Sequence, residues 1–235
     1  MAAVLAIAIF FSPFGIISVF VALKTYDFSL YSALVDEDGL VEWAQAIFYL
    51  MAAGIGIAVV RHPALRKKRL TRILWAIFCV GCTFGFLEEI SWGERIFPNL
   101  SVGQEFDALR ELNLQRETNV HNLAALQYYF GRVMILMCLV GALGWLFFKH
   151  SLIVPSWFLS MNFMLPALAY YFVLFEDGVA SSRILVSQEV FELLFALGLL
   201  MHAGVTYHRV NRFRPIRNSL ATPQVGSLGA FLLWL

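Results

Sequence analysis

The sequence predicts an all-α, polytopic membrane protein that forms a bundle of six transmembrane helices, and three observations support that prediction. The 235 residues are 60% hydrophobic and only 14% charged, with a mean hydropathy of +0.74. Soluble domains are about half apolar and about one quarter charged, so this composition is typical of a chain embedded in lipid. Six apolar segments are long enough to span a bilayer, and basic residues mark every second connection between them.

The six predicted spans follow from length and hydropathy, since a membrane helix needs about 20 mostly apolar residues. The segments are 2–23, 40–60, 73–93, 122–148, 152–175 and 188–207. The first lacks the basic start of a secretory signal and is interrupted at Ser12 and Pro13, which favours a retained first helix. Residues 149–151 separate the fourth span from the fifth. In the fifth, Pro155 and Pro166 are interpreted as a helix start and a kink.

Lysine and arginine predict the orientation, because cytoplasmic connections of membrane proteins are enriched in both. The 61–72 connection carries six of these residues and no acid, and the segment after the sixth span carries four and no acid. Lys149 marks the turn between the fourth and fifth spans. All three regions lie on one side of a six-helix path, so both termini are predicted to be cytoplasmic. The two larger basic groups are Arg61, Arg66, Lys67, Lys68, Arg69 and Arg72, and Arg209, Arg212, Arg214 and Arg217.

The acidic residues are segregated to the other side. All 16 lie in outer connections or at outer helix ends. Acids have little influence on topology, so the orientation rule does not require this segregation. The third span ends in Glu88 and Glu89, and two adjacent carboxyl groups at the end of a membrane helix are expensive to desolvate. The pattern therefore predicts an acidic functional site at the extracytoplasmic face.

Helical spacing suggests how the two glutamates are oriented. Gly81, Gly85, Glu89 and Gly93 recur every four residues and lie on one stripe of the helix. Small residues at this spacing allow a neighbouring helix to approach closely. Glu89 is therefore predicted to face the bundle.

Glu88 shares another face of that helix with Trp92 and Arg95. In one interpretation Glu88 or Glu89 is a catalytic acid or base, while Trp92 and Arg95 contact the substrate. In the alternative interpretation Glu88 and Arg95 form an interfacial ion pair and Trp92 anchors the helix among lipid headgroups. The alternative does not account for Glu89.

The fourth span offers a second set of polar residues at helical spacing. Glu117, His121, Tyr128 and Arg132 follow one another on one face of a helix that starts early. Arg132 would lie roughly 15 Å deep, which is costly unless it meets a carboxylate or a watery cavity. Tyr128 and Arg132 are thus predicted substrate contacts. A purely structural buried ion pair with Glu42, Glu89 or Glu192 is the alternative for Arg132.

A divalent metal is a further possibility, with Glu42, His121 and Glu192 as its predicted ligands. Sets of glutamate and histidine bind metals in helical bundles, although the chain lacks an HExxH or paired ExxH pattern. Glutamate near a helix start is also favoured by the helix dipole alone, which is the alternative for Glu42 and Glu189. Cys79 and Cys82 form a CxxC pair within an apolar helix and are interpreted as packing residues.

Two segments fall outside the spans. Residues 104–114 alternate charged and apolar positions at helical spacing and predict an interfacial helix that lies over the outer ends as a candidate lid. Residues 1–218 therefore form the transmembrane domain. The remaining tail, 219–235, ends in an apolar run too short to span, which could dock on the bilayer or on a protein partner.

Three blocks of the sequence resemble a group of uncharacterised bacterial multi-pass membrane proteins. Residues 37–43, 88–95 and 113–123 match that group's blocks E-D-G-x-x-E, G-E-E-I-S-W-G-Q-R and N-x-Q-x-E-T-N-x-H-N-L. The match covers the second to fourth spans. Leu87 replaces a glycine, and Glu94 replaces a glutamine, which puts a neutral amide contact at the outer rim in doubt. The resemblance implies a bacterial inner-membrane protein and implies no mechanism.

Two functions are consistent with these residues. The first is an enzyme that acts on a lipid or lipid-linked substrate from the outer leaflet, by carboxylate acid/base or metal-assisted chemistry. The second is a non-catalytic subunit of a larger membrane complex, whose buried charges determine how the helices pack. A proton or cation pathway is a weaker alternative, because the inner half offers no matching relay. The expected partners are membrane lipids and, for the second function, another protein bound through the helices or the C-terminal tail. The net charge of +1 suggests no nucleic acid.

Overall fold

The structure is a computed structural model that describes residues 2–36, 39–93, 124–149, 151–175 and 187–212. Within these ranges the chain is helical and contains no strand. Its α-helices are α1 Ala2–Tyr26, α2 Phe28–Val35, α3 Leu40–Arg61, α4 Arg69–Glu89, α5 Ala124–Phe147, α6 Ser160–Phe175 and α7 Gln188–Arg212. Short 3₁₀ turns at 63–65, 91–93 and 157–159 join or extend them.

Five of the described helical segments are long and apolar enough to cross a membrane: α1, α3 together with α2, α4, α5 and α7. The prediction of an all-α, membrane-protein-like chain is confirmed at that level. The six-span topology and the cytoplasmic termini stay predictions. The predicted lid at 104–114 and the tail at 219–235 lie outside the described residues.

The predicted fifth span, 152–175, differs most from the structure. Its α-helix, α6, begins only at Ser160 and has 16 residues. At 1.5 Å per residue it is about 24 Å long, shorter than the roughly 30 Å hydrocarbon core of a bilayer. Pro166 lies inside this helix, as expected.

Hydrogen bonds from neighbouring helices explain why the chain before α6 is irregular. The indole nitrogen of Trp75 donates to the carbonyl of Leu152 over 3.0 Å, and Nε2 of His202 lies 3.1 Å from the carbonyl of Ile153. Pro155 has no N–H to contribute to a helix. Because side chains satisfy these carbonyls, non-helical backbone is tolerated inside the bundle.

Short helix α2 was not predicted from the sequence, which placed residues 24–42 in a connection. The carboxylate of Asp27 accepts a hydrogen bond of 3.0 Å from the backbone N–H of Leu30 and caps the helix. The hydroxyl of Tyr31 then accepts from the backbone N–H of Ser187 over 2.7 Å. Helix α2 therefore connects the end of α1 to the start of α7.

The described helices pack in an open series rather than a closed ring. Helix α3 lies along both α4 and α7, and α6 lies along both α7 and α5. Helix α1 contacts α2 and α6. Helices α4 and α5 are the two ends of the series α4, α3, α7, α6, α5, and in this part of the chain they make little direct contact with each other. Among the described residues, a gap therefore separates α4 from α5.

The two ends of the bundle differ in charge. We call the end that contains Glu42, Glu88 and Glu192 the outer end, following the predicted orientation, and the end that contains Arg61 and Arg69 the inner end. Every acidic residue that the structure describes lies at the outer end: Asp27, Asp36, Glu42, Glu88, Glu89, Glu189 and Glu192.

Candidate functional site

A cavity of about 40 Å³ lies at the outer end, between α4 and α5. It is large enough for two or three water molecules, since one water needs about 10–15 Å³. Five helices contribute side chains. The cavity is lined by Tyr49, Glu88, Glu89, Tyr170 and Glu192 and by the apolar Phe84, Gly85, Phe130 and Met134.

The cavity extends from below the outer helix ends almost to the middle of the bundle. Glu192 is four residues beyond the start of α7, and Tyr49 is nine residues beyond the start of α3. At 1.5 Å per residue, these positions are about 6 and 14 Å deep. The headgroup region of one leaflet is roughly 5–8 Å thick, so the cavity begins near its boundary with the hydrocarbon.

Glu192 is buried and held by two neutral donors. The hydroxyl of Tyr170 donates to its carboxylate, and Nε2 of Gln188 donates to Oε1 over 2.7 Å. The same amide nitrogen lies 3.3 Å from the Tyr170 hydroxyl. Gln188 and Glu192 are one helical turn apart, so α7 itself places donor and acceptor together. This network positions the Glu192 carboxylate at the wall of the cavity.

Glu88 is only 3% exposed and is bound by a residue that follows its own helix. The indole nitrogen of Trp92 donates to Oε1 of Glu88 over 2.6 Å. Ser91 and Trp92 both have left-handed backbone angles, with φ of 46° and 56°. For residues other than glycine this conformation costs roughly 1–2 kcal/mol each, and such strain is concentrated at functional sites. The left-handed turn directs the indole back toward Glu88.

Replacing Trp92 by phenylalanine is expected to lower the free energy of unfolding by about 1 kcal/mol, because it removes the donor to the Glu88 carboxylate and keeps the ring. Thermal unfolding of the protein in mild detergent measures this change. Trp43→Phe is the matched control, since Trp43 is 38% exposed against 42% for Trp92 and donates no hydrogen bond to the described residues. Equal effects of the two substitutions would contradict the prediction.

Glu89 was predicted to face the bundle, and it is half-buried. Glu88 was predicted to share a face with Trp92; it is the more buried of the pair and accepts the hydrogen bond from Trp92. Both line the cavity. The small-residue stripe allows close approach at Gly85, where an added Cβ would lie 3.1 Å from the ring of Tyr49. At Gly81 an added Cβ would meet nothing within 4 Å, so no described helix approaches there.

A second polar group joins α3 to α7 beside the cavity. Nε2 of Gln45 donates to the carbonyl of Glu189 over 2.8 Å and lies 3.2 Å from its carboxylate. Gln45 is fully buried, and its side-chain oxygen has no hydrogen-bond partner among the described residues. Glu42 is buried one turn earlier on α3. Glu42, Gln45 and Tyr49 are spaced by three and four residues, so they lie on one face of the helix.

The predicted metal ligands are only partly described. Glu42 and Glu192 are buried at the outer end, but His121 lies outside the described residues. Within the described ranges no group of three histidine, cysteine, aspartate or glutamate side chains is arranged to hold a metal ion. Metal binding by Glu42, His121 and Glu192 therefore stays a prediction.

The predicted substrate contacts have different outcomes. Trp92 contacts Glu88 as described above. Arg132 is exposed on α5, rather than buried in the bundle, and does not line the cavity. Arg95 and the side chain of Tyr128 lie outside the described part of the chain. Their roles as substrate contacts stay predictions.

The cysteines agree with their interpretation as packing residues. Cys79, Cys82 and Cys138 are free and buried. A Cβ added at Gly56 of α3 would lie 2.7 Å from the sulfur of Cys79, so the two helices are in close contact there.

Carboxyl groups and phenols at one cavity can accept and donate protons over short distances. Sequence reasoning found the three glutamates but missed Tyr49, Tyr170, Gln45 and Gln188. Only the spacing of Gln188 from Glu192, and of Gln45 from Glu42 and Tyr49, provided a signal.

No family model, no curated protein and no solved structure matches this chain.

Proposed function

We propose that the protein is a membrane-embedded enzyme that acts on a lipid or lipid-linked substrate at the outer leaflet by carboxylate acid/base chemistry. The observation that carries this proposal is the cavity at which Glu88, Glu89 and Glu192 meet two tyrosines below the outer helix ends. Proton transfer by a positioned carboxyl group contributes typically 10²–10⁴-fold to a rate, which is sufficient reason to maintain buried carboxylates there.

The proposed roles follow from how each side chain is held. Glu192 is positioned by Tyr170 and Gln188, and Glu88 is positioned by Trp92. Glu89 is half-buried at the same cavity and is the proposed proton donor or acceptor that is most accessible to substrate, with Glu88 as its neighbour. Arg95 and Arg132 stay proposed contacts for an anionic group. The location in a bacterial inner membrane is proposed from the resemblance alone.

The gap between α4 and α5 supports a lipid as the substrate. The cavity is lined in part by α4 and α5, two helices that make little contact in the described part of the chain, and both present apolar residues to the outside of the bundle. Phe84 on α4 and Val133 on α5 are exposed beside cavity-lining residues. An acyl chain lying in this gap would bring the polar part of its lipid to the carboxylates.

Three measurements on the purified protein test the proposal together: lipid mass spectrometry, elemental analysis, and turnover of a total membrane-lipid extract. A specific lipid retained by the protein and converted by it is the expected result. A stoichiometric metal would favour the metal-assisted form of the chemistry. If protein shown to be folded neither retains nor converts any lipid, an enzyme of this kind is excluded.

A non-catalytic subunit of a membrane complex is the second candidate, and one observation favours it. Tyr170 and Gln188 both donate to one oxygen of the Glu192 carboxylate, as expected for a network that only fixes helix packing. Gentle solubilisation followed by sizing separates the candidates. A stoichiometric protein partner that copurifies supports the subunit, whereas a monodisperse lone protein that converts a lipid supports the enzyme.

Filling the gap at Gly81 is expected to lower lipid turnover at least tenfold without changing stability. Gly81 is one turn inward from Gly85 on the cavity side of α4, and the space beside it is open, so Gly81→Leu would fit and obstruct the gap. Gly15→Leu on α1 is the matched control, because its added Cβ also meets nothing within 4 Å. Turnover and thermal unfolding are measured for both. Unchanged turnover in Gly81→Leu would contradict access between α4 and α5.

A further inference from the structure

We propose that the inner end carries a binding site for the phosphate group of an anionic phospholipid, formed by the connection between α3 and α4. The connection contains six cations within twelve residues, and all six are exposed. No described acidic residue lies at this end of the bundle, so no described carboxylate neutralises them. The six are Arg61, Arg66, Lys67, Lys68, Arg69 and Arg72.

The connection is ordered by its own contacts, so the backbone that carries the six cationic side chains is held in place. Leu65 is fully buried and shares a hydrophobic cluster with Trp75 of α4 and Val210 of α7. The backbone N–H of Arg66 donates to the carbonyl of Pro63 over 3.1 Å, and that of Lys68 donates to Leu65 over 2.9 Å. A preorganised cluster loses less conformational entropy when it binds a ligand.

The start of α4 adds to the preference for an anion. No side chain caps this helix, and its first turn contains no acid. Lys68 is at the N-cap position and Arg69 begins the helix, where the positive end of the dipole disfavours cations. A phosphate bound there would interact with unpaired backbone N–H groups and with the lysine and arginine side chains together.

His62 provides an independent observation that points to a ligand. It is 6% exposed, and its Nδ1 accepts a hydrogen bond of 3.2 Å from the backbone N–H of Ala64. An accepting Nδ1 leaves the proton of the neutral ring on Nε2. That Nε2 is buried and has no partner in the described part of the chain. A buried donor without an acceptor therefore lies within the cationic connection itself.

Arg212 of α7 also has a buried donor, Nη1, without an acceptor among the described residues. Val210 places the end of α7 beside the connection through the cluster with Leu65. The positive-inside rule accounts for basic residues at this end, but it does not require buried donors without acceptors. A phosphate oxygen supplies acceptors for both kinds of group.

Native mass spectrometry of the full-length protein tests the site with phosphatidylglycerol against phosphatidylcholine of identical acyl chains. Preferential retention of phosphatidylglycerol by about 100-fold is expected at low salt, because each cation near an anionic surface contributes roughly a factor of five and three of them contribute about 100-fold together. The preference is expected to fall at least fivefold between 0.05 and 0.5 M salt, since about 0.1 M salt already screens charges beyond roughly 10 Å. Equal retention of the two lipids overturns the proposal.

Two variants and one further ligand complete the test. The triple variant Lys67→Gln, Lys68→Gln, Arg69→Gln is expected to lose the preference. The charge-conserving variant Lys67→Arg, Lys68→Arg, Arg69→Lys is the control, and it is expected to retain the preference and to insert normally. If inorganic phosphate at millimolar concentration raises the unfolding temperature while phosphatidylglycerol is not retained, the ligand is a soluble phosphate and the lipid site is excluded.

Discussion

Phe163→Ala is expected to lower the free energy of unfolding by about 3 kcal/mol. Phe163 is buried at the centre of the bundle and meets Phe195 of α7 edge to face, with ring centroids 5.8 Å apart. Large-to-small substitutions of buried phenylalanine cost about 3–5 kcal/mol in soluble proteins. We expect the lower end of that range, because in a bilayer the loss is mainly one of packing rather than of transfer from water. Reversible unfolding in mixed detergent micelles measures it.

Two glycines make room for this ring, which allows a sharper test of the same contact. An added Cβ at Gly141 of α5 would lie 2.6 Å from the ring of Phe163, and one at Gly198 of α7 would lie 2.9 Å from it. Gly141→Ala is therefore expected to destabilise the protein by about 1–3 kcal/mol through overpacking. In a Phe163→Ala background the same substitution is expected to cost almost nothing, because the clashing ring is absent.

Gly54→Ala is the control for this cycle, since its added Cβ would meet nothing within 4 Å. It is expected to change stability by less than about 0.5 kcal/mol, or to increase it slightly through helix propensity. If Gly141→Ala destabilises the parent and the Phe163→Ala variant equally, the ring is not what Gly141 accommodates.

The helices were largely predictable from the sequence because hydropathy reports length and apolar character directly. Helix α3 was predicted at 40–60 and spans Leu40–Arg61. The predicted third span, 73–93, was displaced, because α4 ends at Glu89 and the chain then adopts left-handed angles at Ser91 and Trp92. Neither residue favours that conformation, so the local sequence contained no signal for it.

The site was predictable only as a set of charges. Acids in apolar segments are rare enough that Glu88, Glu89 and Glu192 could be recognised without knowing their neighbours. Tyr49 and Tyr170 resemble ordinary aromatic core residues, and their place at the cavity depends on which helices are adjacent. Hydropathy contains no information on that order, so the gap between α4 and α5 was not predictable either.

Glu88→Gln and Glu89→Gln are each expected to reduce lipid turnover by about 10²–10⁴-fold if the proposed enzyme exists, because an amide cannot exchange a proton as a carboxyl group does. Both substitutions keep the size of the side chain. The oxygen of a glutamine at position 88 still accepts the hydrogen bond from Trp92, so Glu88→Gln is expected to remain folded. Turnover of the lipid identified by mass spectrometry and thermal unfolding are measured on the same samples.

Asp27→Asn is the matched control for charge at the outer end. Asp27 is exposed there and caps α2, and asparagine caps a helix about equally well. It is expected to leave both turnover and stability unchanged. If Asp27→Asn reduces turnover as strongly as the cavity variants, outer-end charge in general is responsible, and the carboxyl groups at the cavity have no specific proton-transfer role. If all three variants convert the lipid at the parent rate, chemistry at Glu88 and Glu89 is excluded and the packing role of a complex subunit is favoured.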